Sequence, residues 1–181
     1  MTKRLLTGFA ISALLAAAPA MATQTDETSA TIQINGVALS DYELVCAVAP
    51  SESSVSLLEM PETLIKQGDN ATSPVQIHLQ VYGPADRCNL LVAAGKIAYR
   101  FSGKSDSADG TVLANSLTDD SAAKGVGVGI FDVNNKPVNV NSGLLVAQED
   151  TVIGLQMVKL TGQEAVAGNI NSLVTIDIER L

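Results

Sequence analysis

Gly168 to Leu181 reads G-N-I-N-S-L-V-T-I-D-I-E-R-L. Ile170, Val174, Ile176 and Ile178 share one parity, and Asn169, Asn171, Thr175, Asp177 and Glu179 share the other. That period-two alternation is the signature of a half-buried strand, with only Leu173 on the polar face. A strand that ends the chain has no successor to pair with, so one of its edges stays open unless another segment supplies hydrogen bonds. A second alternating stretch, Thr28 to Gly36, lies far away, with Ala30, Ile32, Ile34 and Gly36 on one face and Thr31, Gln33 and Asn35 on the other. Close behind it Val37 to Val48 reads as a strand in its own right, which makes one of the two surplus to the domain. Subunits that complete one another would account for both ends.

Residues 1–22 read as a secretory signal peptide: Lys3 and Arg4, an apolar run from Leu5 to Ala18, then Ala20-Met21-Ala22 as a small-residue cleavage site. The apolar run has about 14 residues against the roughly 20 that a spanning helix needs, and no later segment is long and apolar enough to insert stably in a membrane. Cleavage leaves 159 residues, room for one domain with a sizeable core. It also leaves 9 basic against 19 acidic residues, a net charge of −10. Such a balance excludes a nucleic-acid partner and an electrostatic dock on anionic lipid. In an exported chain the two cysteines, Cys46 and Cys88, are expected to form one disulfide. Two free thiols or half a metal site are the alternatives, although the chain has one histidine and no Cys-x-x-Cys.

Beyond Pro50 the chain is a series of short apolar runs between turn residues. Strands are expected near 55–60, 75–82, 90–92, 97–101, 112–113, 126–133, 138–140, 144–147 and 151–160, followed by the final one. Pro61 to Lys66 has room for a turn or two of helix, and Ser116 to Lys124 reads as a loop. Many short strands at this spacing, with one disulfide, indicate an all-β sandwich of immunoglobulin-like type.

Motifs that carry chemistry are weak. Gly103-Lys104-Ser105 ends like a phosphate-binding loop, but its first glycine would fall at Ala98. Gly125-Val126-Gly127-Val128-Gly129 reads as a strand whose glycines admit close packing. His78, between Ile77 and Leu79, is a structural histidine with no nucleophile pattern to serve. Asp106, Asp109, Asp119 and Asp120 lack the dense alternation of a calcium loop and read as a solvated face. No catalytic, cofactor-binding or metal residue is expected, and the chain is not expected to be an enzyme.

In order along the chain, several segments carry a resemblance: Cys46-Ala47-Val48; Val55-Ser56-Leu57 with Met60, Leu64 and Gly68 behind it; Ile77-His78-Leu79 ahead of Cys88; Ile97 to Gly103; Gly125 to Asp132; and the alternating final 14 residues. With a signal peptide and two cysteines at this spacing, the chain resembles pilins of the chaperone-usher pathway, the type 1 fimbrial major-subunit family. The resemblance implies an incomplete immunoglobulin-like β-sandwich lacking its last strand, with an N-terminal extension over 23–36 and a pilin domain over 37–181. It implies a groove beside the last strand, first filled by a strand of a periplasmic chaperone. At an outer-membrane usher the extension of the next subunit, a copy of this chain or another pilin, would replace it. Transferred residue by residue, Ala30, Ile32, Ile34 and Gly36 form the donor face. Val174, Ile176, Ile178 and Arg180 form the receiving, chaperone-binding strand. The implied function is a structural subunit of a surface fimbria that supports adhesion, exported through the periplasm. The sequence departs from the family pattern at Arg180, where a tyrosine is usual, in a donor glycine farther from the first cysteine, and in the longer connection Gly83 to Arg87. The rival reading is a monomeric exported β-sandwich that binds a ligand through loops such as Asp106 to Gly110.

Overall fold

The computed structural model describes residues 45–83 and 86–181. The signal-peptide and donor-segment readings, 1–22 and 23–36, lie outside the described residues. Two antiparallel sheets face each other. The larger runs β1 (Ala47–Pro50), β3 (Val75–Tyr82), β8 (Thr151–Lys159), β6 (Val126–Phe131) and β5 (Leu113–Ala114), with the short β2 (Ile65–Lys66) parallel to β8. The smaller places β4 (Ile97–Gly103) between β7 (Leu144–Val146) and β9 (Val174–Arg180).

Alternation decides what each strand buries. In β3, Ile77, Leu79 and Val81 are buried while Gln76, His78 and Gln80 are exposed. The central strand β4 sends Ile97, Tyr99 and Phe101 into the core, all at 0% exposure. Opposite them in β8 and β6 lie Ile153, Val128 and Ile130, so the inner faces of both sheets share one apolar layer. All six residues of β6 are buried because its second face is covered as well. A smaller cluster of Ala71, Val112, Phe131, Val158 and Leu160 lies apart from the main core. Gly127 makes that cover possible: an added Cβ would stand 2.8 Å from Val112 Cγ2 and 2.9 Å from the Leu113 carbonyl.

Three expected strands are absent. Residues 90–92 lie in a helix, α1 (Arg87–Ala93), which buries Cys88 and Val92, four residues apart on one face, and leaves Leu90 exposed. It ends in a Schellman motif: Gly95, at φ +63°, donates to the Val92 carbonyl at 2.9 Å, and Lys96 donates to that of Leu91 at 2.8 Å. Residues 138–140 form no strand. Pro137 holds one bridge to Phe131, and Val138 and Val140 donate singly to Ile130 and Thr111. Residues 55–60 do alternate, with Val55, Leu57 and Glu59 turned inward, yet they have no ladder partner among the described residues. The Glu59 carboxylate instead fills the gap along β8 between β3 and β2, where it accepts from the Met157 amide at 3.0 Å. The segment after Pro61 is one 3-10 turn, Pro61–Thr63, followed by β2.

Cys46 and Cys88 are bonded and tie the start of β1 to α1, 42 residues apart in sequence. Gly83 lies against this bridge, since a Cβ there would fall on Cys88 Sγ.

A cleft beside the last strand

A cleft of about 730 Å³ runs along one flank of the sandwich. Its floor is the edge of the core: Ile77, Leu113, Val128, Ile130, Ile153 and Leu155. One rim is β1 and the extended segment after it, from Val48 and Pro50 to Val55 and Leu57; the other is Ile170 to Val174 and Ile176.

The register of β9 on β4 determines what this second rim offers. Tyr99 lies opposite Ile178, Phe101 opposite Ile176 and Gly103 opposite Val174. Residues directly opposite share a face, so these β9 side chains point to the core with Tyr99 and Phe101. Leu181 donates to the Lys96 carbonyl at 3.0 Å, which makes the odd-numbered residues of β9 the ones that exchange hydrogen bonds with β4. The even-numbered residues Val174, Ile176 and Ile178 therefore turn their N–H and C=O groups to the outer edge. No strand pairs with that edge among the described residues. All three side chains are only partly buried, unlike those of β4 beside them. The same alternation continues backward through Ser172 and Ile170, while Leu173 is 82% exposed.

The facing rim has a matching pattern. Ser51 donates to the His78 carbonyl at 2.8 Å, so odd residues of β1 bond to β3, and Val48 and Pro50 turn their backbone groups away from it. Proline, with no N–H, is suited to a strand edge.

The polar face of β9 is tied down at its sides. Arg100 Nε donates to Glu179 Oε1 at 2.7 Å, and Ser102 Oγ donates to Asp177 Oδ2 at 2.7 Å. Arg180 lies opposite Ile97 at the exposed end of the ladder, on the parity of the apolar residues.

The remaining candidate residues are placed elsewhere. His78 pairs with Asp150 at 2.9 Å on an exposed outer face, a contact of small energetic weight. Asp106 is not on a solvated face: it is 7% exposed and accepts from the amides of Ala108 and Val112 and from Gln67 Nε2. Burial opposes its charge, but hydrogen bonds from Val112, Ala108, Gly110 and Gln67 outweigh burial and hold the carboxyl below 3.8. The 106–110 loop thus spends its buried carboxylate internally. Asp119 is likewise held low by the Ser121 hydroxyl and amide. Sequence reading did not single out Asn115, whose carboxamide makes four hydrogen bonds around the cleft's end. An isolated asparagine after a short strand gives no signal by itself.

Comparison with known proteins gives a family for this fold. No curated protein matches the chain in sequence. Among solved structures, a chaperone-usher pilus described for the molecular basis of rod uncoiling aligns at TM-score 0.50 and 11% identity, covering 88% of this chain and all of that one. The P pilus rod subunit PapA aligns at TM-score 0.48 and 11% identity, covering 83% of this chain and all of that one. A Burkholderia pseudomallei antigen and type I fimbria protein aligns at 0.36 and 12% identity, covering 75% and 95%. The first of these likenesses supports an incomplete immunoglobulin-like sandwich. The profile of the fimbrial proteins matches residues 32–179. With most of its length inside that match, the chain belongs to the fimbrial protein family, and is a structural subunit of a surface fimbria rather than an enzyme.

Proposed function

We propose that this subunit is polymerised head to tail by strand addition, its cleft receiving the segment Thr23–Gly36 of the next copy or of another pilin. One observation carries this reading: Val174 and Ile176 combine apolar side chains facing a cleft with backbone groups turned to an edge that no described strand pairs with, and Ile178 continues that edge. A single inserted strand would satisfy both at once. Strand addition is a general mode of recognition, known from chaperone and pilin pairs, in which main-chain hydrogen bonds give affinity and pockets for alternate side chains give specificity. Ala30, Ile32, Ile34 and Gly36 supply the alternate side chains, and their small or β-branched shapes suit a cleft floored by valine, leucine and isoleucine. Before assembly a periplasmic chaperone lends the strand, and an outer-membrane usher is where the exchange takes place. Because donor and acceptor are at different sites of one chain, the contact does not close on itself and generates a filament, which supports cell adhesion as a shaft.

The test compares the chain with and without Thr23–Gly36 after periplasmic expression, on non-reducing gels. Heat- and detergent-resistant ladders that vanish on truncation are expected. Monomers in both cases, with unchanged melting, would reject strand exchange.

A further inference from the structure

The ladder that holds β9 is shorter than the rim of the cleft. β4 ends at Gly103, opposite Val174, whereas the rim continues to Ile170. Residues 170–173 keep the in-and-out alternation of β9 without a neighbouring strand among the described residues. What stands in the place of β4 is one side chain and its successor. Asn115 Oδ1 accepts from the Asn171 amide at 3.0 Å, and Asn115 Nδ2 donates to the Asn169 carbonyl at 2.9 Å. A carboxamide placed in this way reproduces the donor and acceptor of a peptide group, so it pairs with the backbone as a strand residue would. Oδ1 also accepts from the Leu117 amide and Nδ2 also donates to the Ala123 carbonyl, which fixes the carboxamide in place. Ser116 completes the pairing, donating from both N and Oγ to the Asn171 carbonyl at 2.7 and 2.8 Å. Ser172 Oγ reaches across to the Ala114 carbonyl at 2.8 Å.

From this arrangement we propose that Asn115 is a positioning residue that extends the strand-accepting edge past the end of β4. With odd residues 169 and 171 paired inward, Ile170 and Ser172 turn their backbone groups to the cleft, continuing the edge that Val174 begins. The inference rests on the strand-acceptor reading and adds that the acceptor has two parts, one held by a ladder and one by a side chain. The energetic reason is that an unpaired strand end frays, and each hydrogen bond an incoming strand makes to a frayed edge must first meet the cost of ordering it.

The test uses the chain Thr23–Leu181, refolded with an excess of labelled peptide of sequence Thr23–Gly36. Amide exchange over 170–172 and over 174–178 is then measured together with the rate of peptide release. The unsubstituted chain is expected to gain protection over both stretches. Asn115→Ala, and Asn115→Asp, which keeps the acceptor and loses the donor, are expected to keep protection over 174–178 and lose it over 170–172. Peptide release should be about tenfold faster, the equivalent of one or two lost hydrogen bonds. Protection over both stretches in the variants, with release unchanged, overturns the proposal even if they melt lower. Absence of protection anywhere in the unsubstituted chain rejects the acceptor reading itself, and this inference with it. Should the Asn115 variants fail to fold, Ser116→Ala and Ser172→Ala each remove one side-chain bond of the same clamp. Their exchange over 170–172 decides in the same way.

Discussion

Two buried polar side chains set the predictions that belong to single residues. Asp106 accepts hydrogen bonds from two described amides and from Gln67, which in turn accepts from the Thr161 amide and donates to Thr111. Its carboxyl titrates lower folded than unfolded, so the stability it contributes is present above the unfolded value near 3.8 and is lost as pH falls through the lower folded value. Asp106→Asn places an N–H group against donors and is expected to cost about 1–3 kcal/mol at neutral pH. It should also flatten the loss of melting temperature in acid, which a pH series of thermal melts would reveal. Tyr99 is the opposite case. Its hydroxyl is buried without a well-formed hydrogen bond among the described residues, and burial, offset in part by nearby Thr151, pushes the phenol above 10. Tyr99→Phe should therefore leave stability within about 1 kcal/mol of the parent or raise it, measured by denaturant unfolding. A fall of several kcal/mol would show that the hydroxyl is satisfied. Composition marks Asp106 as one more acid in an acidic chain. Its amide partners are local, as they would be in an exposed turn, whereas its side-chain partner Gln67 lies 39 residues away and leaves no sign in the stretch around Asp106.

Among the elements, β6 shows how far a pattern of alternation can be read. Gly125-Val-Gly-Val-Gly was legible as a strand with close neighbours, and Gly127 indeed stands where a Cβ would meet Val112 and the Leu113 carbonyl. Gly127→Ala is expected to cost about 1–3 kcal/mol through overpacking, part of it against a carbonyl that cannot move aside freely. Equal melting temperatures for the two proteins would contradict that packing. The helix α1 was misread because Leu90-Leu91-Val92 is a short apolar run, for which strand and helix periods cannot be told apart. The informative residues were Cys88 and Val92, four apart, with Gly95 after them to close the last turn. The run 55–60 shows the converse: its alternation is that of a strand, but pairing is a property of neighbours, and none is paired with it among the described residues.

At the scale of the whole molecule, two sheets share one apolar layer and the disulfide joins their surroundings. Closing a loop of this length restricts the unfolded chain by roughly 4 kcal/mol on a chain-entropy model. Cys46→Ser with Cys88→Ser should therefore melt well below the parent under non-reducing conditions. Coincident melting curves would mean that the bridge contributes nothing. Identical subunits joined through cleft and extension would share one further property: each acceptor core is finished only by its neighbour, so polymer melting should lie above that of any monomeric form, to be compared by calorimetry.

The alternation of Gly168–Leu181, the turn residues between short apolar runs and the pair of cysteines determined the class of fold and the two faces of β9, because a period of two is a local property of the backbone. Even the exposure of Leu173 follows from its parity. Tertiary structure alone decided the rest: that β4 is the neighbour of β9, that the odd residues of β9 take the inner hydrogen bonds, and that a cleft lies beside the other edge. It also decided that Asn115 and Ser116 take over where β4 stops. These depend on which segments meet after long excursions of the chain, and hydrogen-bond partners more than fifty residues apart leave no mark on either stretch alone.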